Sequence, residues 1–525
     1  MMKWNPYDGN INRFGVKRVL FFVAALICLL AVGVDDTESS GQERGVEVVN
    51  VGSKLELMIN GFLIDSYYGD VKHKLHHPQS QNIAIVHDSP WEQGRGTYHT
   101  IFKDGDVYRM YYSAGKSFIC YAESQDGVHF RKPDLGIVDF DGAGTNNIVW
   151  KGGPISHNLT PFKDTNPNCP PERRYKAIGG VDTSGVFALV SADGIQWSKL
   201  SDQAVLTDGW FDSQNTVFWD STRGHYRMYY RDWHRQSPAR KVRGIVTDRI
   251  YRGIKTAISA DFTNWAEARW LEYNNAPNGD HLLEHTHLYT NSIKPYYRAP
   301  HIYLGFPVRY VERAFGASSR QLPNAERHEQ HMRRIGRENA LTEGALIASR
   351  NGTTFDYWSE AFIRPGLRNN NWVYGDNYVA WHAVETMSGL SDQIQELSLY
   401  ATENSGTRKP KQLRRYTLRI DGFVSLNASL VGGGIVTKPI RFDGVRLIIN
   451  YASSAVGGLR VEIQNSEGKP ISGYTLSDCD EIYGDQLDRT VTWNGSEDVA
   501  DLSNKPIRLR FSLADADLYS FVFLE

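Results

Sequence analysis

Cysteine is scarce in this sequence: the 525 residues contain four, Cys28, Cys120, Cys169 and Cys479. The last three are an odd number and widely spaced, with no Cys-x-x-Cys, which excludes a disulfide framework and a zinc-type cysteine site. An excess of one charge is also missing. Lys and Arg number 58 against 60 Asp and Glu, a formal net charge of −2. That excludes a chain built to neutralise phosphates, so nucleic acid is not an expected partner. Beyond residue 31 no apolar run is long enough to cross a bilayer. A Gly-x-Ser-x-Gly elbow, a phosphate loop and a dinucleotide fingerprint are all absent. Stability has to come from a packed core.

The N-terminus does carry one apolar run, Val19 to Ala31, preceded by Lys17-Arg18 and ending in the small residues Ala31-Val32-Gly33. That length fits the core of a signal peptide and is short for a membrane span, so a secreted or periplasmic protein is expected. An uncleaved signal anchor is the alternative, and the only expected membrane contact. Residues 1–45 are therefore set apart as leader and linker. Aromatic residues are plentiful, at 12% with 13 Trp and 28 Tyr. They suit both β-strands and surfaces that stack on sugars.

A two-part motif recurs five times. Its first half is an aromatic strand: Val107-Tyr-Arg-Met-Tyr-Tyr-Ser113, Arg174-Tyr-Lys-Ala-Ile-Gly-Gly180, His225-Tyr-Arg-Met-Tyr-Tyr-Arg231, His301-Ile-Tyr-Leu-Gly-Phe-Pro307 and Glu396-Leu-Ser-Leu-Tyr-Ala-Thr402. The second half is a turn ending in an aromatic residue. It reads Ser124-Gln-Asp-Gly-Val-His-Phe130 and Ser191-Ala-Asp-Gly-Ile-Gln-Trp197, with looser copies at Ser259–Trp265 and Ser349–Phe355 and a degenerate one near Leu418–Phe423. Short strands, regular Asp-Gly turns and a long period predict an all-β fold, a five-bladed β-propeller over residues 46–420. Beyond it, runs such as Val445–Tyr451 and Ile507–Leu513 predict a β-sandwich accessory domain over 421–525.

In such a ring the innermost strands start at one mouth, near Thr97, Ser156, Asp212, Tyr289 and Asp376. Insertions at about 232–257 and 308–343 would rise over that mouth and wall a pocket. Position in the repeat selects three acids there: Asp212 at the start of an innermost strand, and Asp232 and Glu403 at equivalent ends of second strands. Ala114, Val181 and Val308 occupy the matching positions elsewhere. Three converging carboxylates suit glycoside hydrolysis, one protonated as general acid and another ionised as base or nucleophile. The expected roles are base or nucleophile for Asp212, general acid for Glu403 and tuning for Asp232, with Arg231 beside it. Gln214, Asn215, Asn291 and Asn377 are candidates for sugar hydroxyls. Arg298 and Arg364 are candidates for an anionic substituent, and Trp91 and Trp372 for stacking on a pyranose. His73, His76, His77, His281, His285 and His287 lack the spacing of a metal site. No metal ligand is assigned and no cofactor is required, while a structural divalent cation in the channel stays open.

The aromatic strand followed by Ser-x-Asp-Gly-x-x-Phe/Trp resembles the five-bladed propeller glycosidases of glycoside hydrolase families 32, 43 and 68. So do Phe211-Asp-Ser-Gln-Asn215, Arg298-Ala-Pro-His301 and Phe362-Ile-Arg-Pro-Gly366, which look like segments of secreted bacterial proteins similar to the family 32 N-terminal domain. The resemblance covers about residues 85–425 and implies hydrolysis of fructosides, arabinosides or xylosides by a carboxylate trio. The chain departs from that pattern. Gly96-Thr-Tyr-His99 stands where a Trp-Met-Asn-Asp-Pro-Asn-type motif is expected, Arg231-Asp-Trp233 replaces Arg-Asp-Pro, and the Glu-Cys motif is absent. The leading expectation is a secreted glycoside hydrolase acting on a plant or algal polysaccharide or its oligosaccharides. A non-catalytic carbohydrate-binding propeller is the alternative. A third reading is a lyase using a Tyr or His base near an Arg-neutralised uronate.

Overall fold

The computed structural model describes residues 47–142, 144–235, 241–242, 245–246, 250–275, 287–334 and 339–525. The leader-like run, His281 and His285 lie outside these, as do 236–240, 243–244 and 247–249 of the insertion at 232–257. The described chain is all-β apart from 3-10 turns and two helices, Ala317–Arg320 and Ala325–Arg334. None of its helices is long and apolar enough to cross a membrane. Residues 47–525 form one compact unit.

Five antiparallel sheets follow one another along the chain. The first runs Gly96–Asp104, Val107–Ala114, Phe118–Ser124 and Ile148–Lys151; the second Thr160–Lys163, Tyr175–Gly179, Phe187–Ser191 and Ser198–Lys199. The third runs Thr216–Asp220, His225–Arg235, Ile250–Ser259 and Ala266–Trp270. The fourth is built on Lys294–Tyr296, Ala299–Gly305, Asn339–Ser349 and Thr354–Ile363, with Glu272–Asn275 added in parallel at its edge. The fifth runs Val384–Ser388, Ser391–Glu403 and Gln412–Leu418, and its last strand is Gln79–Val86 from near the N-terminus. The aromatic motif is the second strand in all five. First strands lie side by side from the first sheet to the fourth, and that of the fifth lies beside that of the first.

The two halves of the motif recur together because they are partners across sheets. In the first four turns the Ser hydroxyl accepts from backbone N–H groups, as Ser191 does from Gly194 at 2.8 Å, and an Asp, or Asn351 in the fourth, caps the next two, as Asp193 does from Ile195 and Gln196 at 2.8 and 2.9 Å. The glycine sits at positive φ (71° at Gly127, 79° at Gly194), where a side chain is strained. Its carbonyl then accepts from a tyrosine of the preceding sheet. Tyr111 of the first sheet donates to Gly194 O at 2.8 Å, Tyr229 of the third to Gly352 O at 2.8 Å, and Tyr400 of the fifth to Gly127 O of the first. The exceptions match. The turn of the third sheet has Phe262 in place of glycine, and the residue offered to it is Ile178, which shares an apolar cluster with Phe262. The turn after the fifth sheet is degenerate, and the fourth sheet offers Gly305 instead of a tyrosine.

Residues 421–525 do not stand alone. Val424–Thr437, Ile440–Phe442, Arg446–Asn465, Asp485–Thr490 and Ile507–Leu524 form an eight-stranded sheet with Val49–Gly52, Glu56–Leu57 and Ile64–Leu75. The expected boundary at 420 therefore leaves out three strands contributed by residues 49–75. The long strands keep contact through a bulge between Ala428 and Gly433; beside it, a side chain on Gly434 would meet Phe511 O at 1.9 Å. This sheet has its own core, around Leu447, Val461, Phe511 and Phe521, and a second cluster joins it to the fourth and fifth sheets through Leu57, Phe362 and Phe423.

Candidate active site

Asp212 lies in the short loop before the first strand of the third sheet, and that loop is pinned from both sides. The amide of Asn158 donates to Phe211 O at 2.7 Å and also to Ser213 O, and that of Asn215 donates to the same two carbonyls at 3.0 and 3.1 Å. Ser213 Oγ donates to Tyr289 O at 2.5 Å. The residue between the pinned carbonyls is thus held in one place. Its carboxylate meets His157 Nε2 at 2.8 Å and Arg231 Nη2 at 3.3 Å, and the side chain is 36% exposed. Arg231 itself is buried; its Nε donates to Trp210 O, and its guanidinium lies over the rings of Trp233 and Tyr289 at 5.4 and 5.5 Å. Burial pushes the Asp212 carboxyl up, but His157 and Arg231 outweigh it, and the net shift is downward.

Two more groups belong to this cluster. Tyr98 packs on His157 with ring centroids 5.6 Å apart. It sits at φ 52° where the first strand shifts register between Thr97 and Thr100, a bulge that re-aims its side chain. Asp182 follows the second strand of the second sheet, and its Oδ1 is buried with no hydrogen-bond partner. Burial and the charge of Asp212 raise its carboxyl above the ordinary range, against Arg231 and His157. Two neighbouring carboxyls, one shifted down and one up, form the pattern of a base and an acid.

Tyr98 and His157 line a cavity of about 1530 Å³. Its far wall is Arg327–Arg334 of the longer helix, so the insertion at 308–343 does wall the pocket.

The three acids expected to converge are not brought together. Along a strand successive side chains point to opposite faces. Arg231 reaches Asp212, so Asp232 turns away, to Lys255 Nζ at 3.4 Å, a lysine that also pairs with Asp208 at 2.8 Å. Glu403 is 2% exposed; Arg368 and Arg414 reach one oxygen at 2.8 and 2.7 Å, and Gln412 donates to the other at 2.9 Å. No face is left on it for a glycosidic oxygen. The asparagines are structural as well. Asn215 holds the Asp212 loop, Asn291 donates to Gln214 O and Tyr229 O, and Asn377 donates to Thr342 O and Asn371 O. Gln214 donates to His99 O and Thr100 Oγ1, both at 3.1 Å. All four are buried and their amides are occupied.

Arg298 pairs with Asp421 at 3.0 Å, and Arg364 with Glu360. Trp91 donates to Asn147 Oδ1 at 2.7 Å and Trp372 to Gly366 O at 2.8 Å. None of these four lines the cavity. Among the described residues no group of three His, Cys, Asp or Glu is arranged to hold a metal ion.

Sequence reasoning missed His157, Tyr98 and Asp182. His157 stands directly before Asn158 at the start of an innermost strand, the same criterion that selected Asp212, but only acids were considered there. Asp182 is one residue past Val181, the position matched to Asp232, and opens a 3-10 turn beyond the strand that ends at Gly179, where strand alternation does not assign its direction.

No family model matches the sequence, and no curated protein does. Solved structures do. An N-acetylgalactosamine deacetylase from F. plautii in complex with blood group B trisaccharide is 11% identical, covering 67% of this chain and 95% of that one with a TM-score of 0.40. A glycoside hydrolase family 43 arabinoxylan arabinofuranohydrolase from Bacillus subtilis is 12% identical, covering 86% and 99%, TM-score 0.38. A Bombyx mori family 32 β-fructofuranosidase is 8% identical, covering 86% and 94%, TM-score 0.37. Families 32 and 43, two of the three named by the sequence motifs, thus recur among the similar structures. At such TM-scores they carry no chemistry over to this chain, whose own residues decide it.

Proposed function

We propose that the five sheets are the blades of a five-bladed β-propeller, with the eight-stranded sheet as a β-sandwich accessory module, and that the protein is a secreted glycoside hydrolase working at the mouth of the ring. The observation that carries this reading is Asp212, fixed between two pinned carbonyls and bridged by His157 to a cavity large enough for several sugar units. Asp212 is the ionised base or nucleophile. Asp182 replaces Glu403 as the general acid: it gives its proton to the leaving glycosidic oxygen, while water, or Asp212 itself, attacks the anomeric carbon. Arg231 keeps Asp212 ionised and His157 orients it. The leader-like run Val19–Ala31 supports export. No metal or organic cofactor takes part in this scheme.

Release of reducing sugar from a panel of plant and algal polysaccharides tests the reading. Wild type is expected to release product, and Asp212→Asn and Asp182→Asn to be at least a hundredfold slower while melting like wild type. Equal release by wild type and Asp212→Asn sinks it.

A second reading has one observation in its favour. Tyr98 beside His157 is the pair a lyase needs to remove a proton next to a uronate carboxylate. Its signature is a product with a carbon–carbon double bond, and loss of that product in Tyr98→Phe.

A further inference from the structure

The lining of the cavity is one-sided in charge. Seven Lys and Arg side chains face it, together with three histidines, and no Asp or Glu does. Across the whole chain acids slightly outnumber bases, 60 to 58, so the bias is local. The cations come from three separate places. Arg95 and Lys116 flank the first sheet; Arg327 and Arg334 come from the helix inserted in the fourth; Arg408, Lys409 and Lys411 come from the loop between the second and third strands of the fifth. Among the described residues none of the seven is in an ion pair with a carboxylate.

The little-exposed cations Arg231, Lys132, Lys176, Arg309 and Arg414, by contrast, all have carboxylate partners. The charges also converge closely enough to act on one another. His331 is held below its ordinary range by burial and by Arg334, Arg327 and Arg95. Lys411 is lowered by burial, which Asp376 behind it only partly offsets. Unpaired like charges around one concave space repel each other and raise the local potential, and an anion entering that space relieves the repulsion.

We infer that this cavity binds a glycan carrying anionic groups, sulfate esters or uronate carboxylates, and that Arg95, Lys116, Arg327, Arg334, Arg408, Lys409 and Lys411 are its specificity-determining residues. The inference rests on the proposed carbohydrate activity of the same mouth. It adds the substrate class: a neutral arabinan or xylan would leave the cations unmatched. Position supports the link to chemistry, because Tyr98 and His157 form part of the same wall. The volume, above the few hundred Å³ that suit one small ligand, fits an oligosaccharide stretch bearing more than one charge.

The test uses the full chain carrying Asp212→Asn, so that substrate stays intact, and measures binding by calorimetry. The probes are chondroitin sulfate, the same polymer chemically desulfated, polygalacturonate, neutral arabinan and a single-stranded DNA oligonucleotide. Binding to at least one acidic glycan is expected, weakening about tenfold or more when salt is raised from about 0.05 M to about 0.5 M. Loss of binding on desulfation identifies sulfate as the recognised group; retention, together with binding of polygalacturonate, identifies the carboxylate. Arg408→Ala/Lys409→Ala in the loop and Arg327→Ala on the helix are each expected to weaken that binding several-fold without moving the melting temperature. The inference is overturned if arabinan binds as tightly as every acidic glycan, if no acidic glycan binds, or if DNA binds more tightly than all of them. The two readings fail separately. Cleavage of arabinan by wild type without acidic-glycan binding removes the inference and leaves the hydrolase. Salt-sensitive acidic-glycan binding without any cleavage removes the hydrolase and leaves the inference.

Discussion

Among the histidine–carboxylate pairs of the described residues, two have opposite fates. His157, part of the cavity lining, and Asp212 lie 2.8 Å apart, both more than a third exposed. His87 and Glu92 lie 3.5 Å apart with no exposure at all. Glu92 also accepts from Tyr112 and Lys132, both at 2.6 Å, and from Ser89 N at 2.7 Å, while His87 contacts His99 Nε2 at 3.0 Å. Burial pushes the Glu92 carboxyl up, yet these partners bring it down to about 2. Burial also lowers His87, so at neutral pH the ring is uncharged and Lys132 is the cation that balances Glu92. A histidine and a carboxylate make a brace where the carboxylate is enclosed by partners, and a candidate catalytic pair where an open side is left beside a cavity.

Substitutions should separate the two. The largest effect is expected from Asp212→Asn: turnover falls on the order of a thousandfold with the thermal melt unchanged, since only the open pair faces substrate. Glu92→Gln should do the reverse. It removes the buried charge of the pair, leaves Lys132 only the exposed Asp88 as a carboxylate partner, and costs about 3 kcal/mol in urea unfolding, while the protein that stays folded retains its turnover.

Asp376 offers a third contrast, a fully buried carboxyl with one oxygen unpartnered. Burial raises it to about 7, opposed by Ser405 and Lys411 and helped by Glu403. A raised carboxyl favours the folded state below its unfolded pKa, and that advantage is lost as pH rises through the folded one. Asp376→Asn is therefore expected to gain stability over wild type by about 2–3 kcal/mol between about pH 5 and about pH 7, then level off. A difference that does not vary with pH would rule out this burial of charge.

His157→Gln sharpens the comparison from the other side. Turnover should fall about tenfold, and the acid limb of the pH–rate profile should move up, because Asp212 loses the partner that most lowers it. The smallest effect belongs to a residue outside both pairs. Ser191→Ala removes the hydroxyl that caps one motif turn and should cost about 1 kcal/mol, with turnover unaltered.

Much of the fold was legible because its repeat is a contact. Tyr111 and the turn at Gly194 recur with their counterparts since each pair bonds across two sheets. The closing strand Gln79–Val86 carries no half of that motif, and neither do the three strands between residues 49 and 75, so nothing local announced where they pair. In the site, Asp212 was legible from its place at a strand start. Asp232 failed on parity, one residue from the mouth-facing Arg231. Glu403 failed because two arginines distant in sequence close around it. The four amides looked like sugar ligands and turned out to be staples; Asn158 and Asn215 earn a functional place only by fixing Asp212. The basic cavity was illegible for a simpler reason: its walls come from residues 95, 116, 327, 334 and 408–411, which no sequence window contains.

The fifth sheet borrows its last strand from residues 79–86, and the eight-stranded sheet borrows three strands from residues 49–75. This sets a schedule for assembly. The first four sheets can form in order as the chain is made, but the N-terminal strands must wait, unpaired, for more than three hundred residues. Such distant pairing makes the final step slow. Until then exposed strand edges stand ready to pair with other chains. The last event of folding is then one closure, in which residues 79–86 complete the fifth sheet and residues 49–75 complete the eight-stranded one.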